Sequence, residues 1–117
     1  MSQTSTAIAC NLDALSPSER SRRSELASTI RRSATSVEET ERGYRLQLPN
    51  DAAICQRALE LVLLERRCCP FFAIELEFAP GDGAVTLAVG GSPAVKDFLR
   101  ESGFLGGAQP AGRARCC

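Results

Sequence analysis

Apolar positions along the chain recur with two different periods, and the switches between them divide it into helices and strands. Ser16-Pro17-Ser18-Glu19 reads as a helix start, with Ser16 as N-cap, Pro17 at the first helical position and Glu19 at the third, closing a capping box. The helix expected over 17–34 has one clear stripe, Leu26, Ile30 and Ala34, so it should cover a sheet with most of its surface wet rather than form core. After a polar link through Glu38, Glu39 and Glu41, residues 43–48 alternate with period two and stop at Pro49-Asn50, giving a first strand. Asn50 or Asp51 caps a second helix from Ala52 to about Cys69, ended by Pro70, which disfavours helix at the preceding residue. Phe72, Ile74, Leu76 and Phe78 then alternate with Ala73, Glu75 and Glu77. Pro80-Gly81-Asp82-Gly83 supplies the turn, and Val85, Leu87 and Val89 face inward on the returning strand. Ser92-Pro93 opens a short helix with the stripe Val95, Phe98 and Leu99, stopped at Gly103.

The order is an N-terminal helix followed by β-α-β-β-α, which predicts an α+β fold with a small sheet covered by helices. The 117 residues suit one domain. Its expected extent is 10–105, between a Ser/Thr-rich flexible N-terminus, 1–9, and a flexible tail, 106–117, that carries two cysteines at its tip.

Composition narrows the chemistry. Fourteen basic and fourteen acidic residues give zero formal charge, balanced in both halves of the chain, so no basic face for a nucleic acid is advertised. Histidine is absent, which removes histidine base catalysis and any Cys/His zinc finger. No apolar run approaches the ~20 residues of a spanning helix, and the first ten residues do not read as a secretory signal. The expectations are no membrane insertion, a cytoplasmic location and, in reducing surroundings, no structural disulfide.

Against this background the six cysteines stand out, four of them in the adjacent pairs Cys68-Cys69 and Cys116-Cys117. At about 100° per residue, Ile54, Ala58, Leu61, Val62, Cys68 and Cys69 share one side of the second helix, with Glu65 in its middle. Glu65 stands three and four residues ahead of the thiols and can face the same volume. Neighbouring thiolates suit a soft, thiophilic ion, Hg(II), Cu(I) or As(III), and less so zinc, because two separated Cys-x₂₋₄-Cys knuckles are missing. Consecutive helical side chains diverge, so both sulfurs reach one ion only if the helix frays ahead of Pro70. Cys10 could fold back as a third sulfur ligand. Cys55 lies about 21 Å along the helix from Cys69 and reads as a small hydrophobe. Glu65 is read either as a helix-end glutamate paired with Arg45 or Arg100, or as a carboxyl whose burial raises its pKa so that it donates or takes a proton beside the thiols.

Glu65 to Phe71, preceded by Gly43 to Pro49 and followed by Gly91 to Leu99, resembles small, poorly characterised bacterial proteins. These carry Glu-Arg-x-Cys-Cys-Pro-Phe after a Gly-Tyr-x-Leu-x-Leu-Pro strand and before a Gly-x-x-x-Val-Lys-x-Phe-Leu helix. The likeness covers about half the chain and implies a shared fold and an association with heavy-metal resistance. Cys116-Cys117 resembles the mobile Cys-Cys tail of mercuric reductases, which collects Hg(II) and delivers it to an inner pair. The flavin fingerprint and redox Cys-x₄-Cys of those enzymes are missing here. Cys68, Cys69 and Glu65 also match the two cysteines and carboxylic acid of organomercurial lyases, although the lyase cysteines are far apart in sequence.

The expected function is binding, and transfer, of a thiophilic metal ion through Cys68 and Cys69 with Cys116 and Cys117. The alternatives are a thiol-based redox or metal-responsive module, docking through its first helix on a protein partner or a second copy, and a thiol-dependent lyase acting on organometal compounds.

Overall fold

The structure, a computed structural model, describes residues 10–102. A 3-10 turn, Leu12–Ala14, leads into α1, Pro17–Ser33, and then come β1, Ser36–Glu39, and β2, Gly43–Leu48. The chain continues through α2, Ala52–Cys68, β3, Ala73–Phe78, β4, Val85–Gly90, and α3, Pro93–Glu101. This is an α+β fold with one four-stranded sheet in the order β1-β2-β4-β3, antiparallel at every pairing.

The register sorts the side chains. Val37, Leu46, Leu87 and Leu76 form one cross-strand row, and Ser36, Gln47, Thr86 and Glu77 form the neighbouring row on the opposite face. Leu46, Leu48, Val85 and Leu87 are buried together with Leu26 and Ile30 of α1, Ala58 and Leu61 of α2, and Val95 and Leu99 of α3. The other sheet face is polar. At its narrow end β2 meets β4 through Gly43 opposite Gly90, where a Cβ on Gly43 would strike the Val89 carbonyl and the Gly90 backbone. Gly81 supplies the left-handed conformation, φ 66°, in the turn between β3 and β4.

Local chemistry sets the helix limits as the sequence indicates. Ser16 and Glu19 close the capping box on α1, Asp51 caps α2, and Ser92 caps α3 ahead of Pro93. Three expectations need correction. The link through Glu38 and Glu39 contains β1, whose four residues are all exposed, so no alternation of burial marks it. It is an edge strand held by its backbone pairing and the Arg45–Glu38 ion pair, and its charges suit an edge. The first helix is also more than a cover, because α1 packs along α2 and places Leu26, Ala27 and Ile30 in the core. Phe78, expected to be inward, is 57 % exposed at the end of its strand.

The segment ahead of α1 folds back onto the end of α2. The Asn11 N–H donates to the Cys68 carbonyl at 2.7 Å, the Arg67 guanidinium donates to the Ala14 carbonyl, and Leu15 is buried. Arg67 also pairs with Glu19 at 2.8 Å, which, with the Ser16 N–H, holds the Glu19 carboxyl down at about 2. A carboxyl lowered in the folded state stabilises it above the unfolded pKa and loses that contribution as pH falls toward the folded value. E19Q is therefore expected to flatten the decline in urea stability between about pH 4.5 and about 2. An unchanged decline would mean that this pair does not hold the segment.

Candidate metal centre

The centre lies where α2 ends. Pro70 cannot continue the helix and biases its predecessor away from helical geometry, and Cys69, the C-cap, has φ −129° and ψ 70°. Its N–H still donates to the Glu65 carbonyl at 2.7 Å, so the backbone turns sharply without losing that bond. The turn overcomes the divergence of consecutive helical side chains. The Cys68 and Cys69 sulfurs lie 3.6 Å apart.

The folded-back segment brings in the third sulfur. Cys10, Cys68 and Cys69 place their Sγ atoms within 4.8 Å of one another, a cluster positioned to coordinate a metal ion. In the state described, Cys10 and Cys69 are joined as a disulfide, while Cys68 carries a thiol. The sequence expectation of no structural disulfide is therefore corrected. The residues are 59 apart in sequence, and only folding back of the N-terminal segment brings their Cα atoms to 4.7 Å. Closing so long a loop removes unfolded-chain entropy worth on the order of 4 kcal/mol in the chain-entropy account.

Leu15, Leu64, Phe71, Phe72 and Phe98 pack around the sulfurs, and Cys68 and Cys69 are fully buried. The Phe71 ring meets Phe72 and Phe98 edge-on, with centroids 4.9 and 5.5 Å away. Burial and the nearby Glu65 push the Cys68 thiol up to about 11. Thiolate chemistry there requires an electrophilic ion or another way to remove the proton.

Glu65 points one oxygen toward Cys68 Sγ at 4.0 Å and the other to the Arg23 guanidinium at 2.6 Å. Arg23 and Glu65 are both buried. Desolvation pushes the Glu65 carboxyl up, and Arg23 opposes that rise. The partner is Arg23 rather than Arg45 or Arg100, which are occupied elsewhere with Glu38 and Asp97. Arg23 is the residue that sequence reasoning missed. Its signal lies at helical spacing, since Arg23, Leu26, Ala27 and Ile30 share one stripe of α1.

Cys55 sits on the first turn of α2, away from the cluster. Cys116 and Cys117 lie outside the described residues. Among the described residues no helix is long and apolar enough to cross a membrane. No protein family, curated protein or solved structure matches the chain.

Removing one charge of the buried pair leaves the other in a low-dielectric site, whereas apolar replacement of both relieves two desolvation penalties. R23M is expected to destabilise the protein by about 3–5 kcal/mol, and R23M/E65M to recover most of that loss. Chemical denaturation of both variants checks it, and a double variant as unstable as R23M would contradict the pairing.

Proposed function

We propose that the reduced protein binds a thiophilic metal ion as its cargo through Cys10, Cys68 and Cys69. The observation that carries this reading is the convergence of three sulfurs from two distant segments at the end of α2. Sulfur-only donors select soft ions such as Hg(II), Cu(I) and As(III) over hard ones. Zinc is less well served, because its structural sites take four ligands and this cluster contains three.

The Cys10–Cys69 disulfide and the ion compete for the same sulfurs, so binding follows reduction by a dithiol or phosphine. Aromatic and aliphatic side chains around the sulfurs keep water from the bound ion. Glu65, near the Cys68 sulfur, is suited to pass on the proton that leaves as a metal–sulfur bond forms, returning to its ion pair with Arg23. Cys116 and Cys117 would serve as a first acceptor that passes the ion inward by thiolate exchange.

The disulfide also supports a second reading, a redox-responsive module whose N-terminal segment is locked to α2 when oxidised and released when reduced. A thiol-dependent change in shape without ion binding would favour it.

Native mass spectrometry of the reduced full chain is expected to retain one equivalent of a soft ion against excess small monothiol. In a C116S/C117S background, the oxidised protein and C68S/C69S should lose the ion. Equal retention by the reduced protein and the double variant would overturn the proposal.

A further inference from the structure

We propose that the three-sulfur cluster is a site for a trivalent thiophilic metalloid, the chemistry of arsenite, because such a centre engages all three sulfurs without burying net charge. This rests on the metal-binding reading above and specifies its cargo.

Charge is costly in the buried volume around these sulfurs. Cys68 and Cys69 have no exposed surface, and the surrounding side chains are Leu15, Phe71, Phe72 and Phe98. A net charge placed there forfeits its hydration. The fixed charges nearby already cancel, Arg23 with Glu65 at 2.6 Å and Arg67 with Glu19 at 2.8 Å. Among the described residues the remaining cation on this turn, Arg66, is exposed and screened by solvent, so no buried surplus cation offsets an anionic complex. The C-terminal end of α2, which carries the negative end of the helix dipole, further disfavours an anion.

Three thiolates on Hg(II) make a singly charged anion, and on Cu(I) a doubly charged one. On As(III) they make a neutral centre. Arsenous acid reaches it without redox change: each of three As–O bonds is replaced by an As–S bond, and each thiol proton leaves with the displaced hydroxide as water. Three thiols and one As(OH)₃ thus give one As(S-Cys)₃ and three waters. Hg(II) reaches neutrality with two sulfurs and should leave the third as a thiol. The number of sulfurs engaged accordingly follows the charge of the ion.

The test uses the full-length chain carrying C55S, C116S and C117S, reduced by a phosphine that becomes its oxide, and loaded with one equivalent of arsenite or Hg(II). Alkylation read by mass spectrometry is expected to find all three cysteines protected by arsenite and two by Hg(II), with X-ray absorption giving the same sulfur counts. C10S should weaken arsenite retention at least about tenfold and leave Hg(II) retention nearly unchanged. E65Q, which leaves Arg23 as a net positive charge, should draw the third sulfur onto Hg(II), whereas neutral R23M/E65M should keep it on two. If the serine background does not fold, peptide mapping of the wild-type chain gives the same comparison at Cys10, Cys68 and Cys69. Three sulfurs on Hg(II) in the unaltered pocket, two on arsenite, or no change in E65Q would overturn the trivalent assignment while leaving metal binding intact. Protection by neither ion would overturn both.

Discussion

Pro70 stands two residues after the last helical position of α2, and the rest of the centre depends on the interruption it imposes. In a continued helix, Cys68 and Cys69 would point about 100° apart and share no ligand. With Cys69 in a non-helical conformation, the two sulfurs meet at 3.6 Å and the freed end of the helix offers the Cys68 carbonyl to a passing segment. Asn11 takes the Cys68 carbonyl, Arg67 reaches back to Ala14, and Cys10 arrives beside Cys69. Termination and assembly of the centre are one event.

The buried charge pair links this end of α2 to α1. Arg23 and Glu65 occupy apolar stripes on facing helices, so each has a counterion where solvent cannot supply one. Such a pair is poor evidence for added stability, because desolvation takes back much of what attraction contributes. It does set the electrostatic character of the sulfur pocket. With Arg67 also paired to Glu19, the buried surroundings among the described residues carry little net charge, and the charge of whatever binds becomes decisive.

Much of the fold was legible because it rests on local rules. The capping box at Ser16 and Glu19, the caps at Asp51 and Ser92, and the alternation on β2 and β4 all follow from side-chain chemistry within a few residues. β1 was not legible, since an exposed edge strand of Ser36 to Glu39 has polar residues on both faces and is defined by pairing alone. At the centre, the adjacency of Cys68 and Cys69 and the inward placement of Glu65 could be read from helical periodicity. The union of Cys10 with Cys69 and of Arg23 with Glu65 could not, because both depend on how α1 and its preceding segment lie across α2. Arg23 on the Leu26 stripe was the remaining clue, and only a facing buried acid gives it meaning.

In the proposed function, one set of three sulfurs serves either a disulfide or an ion. The most direct measurement is peptide mapping of the disulfides formed when reduced protein is treated with diamide, with and without one equivalent of arsenite. The Cys10–Cys69 disulfide is expected to form rapidly in the ion-free protein and to be suppressed when arsenite is bound. The same yield of that disulfide in both samples would contradict it.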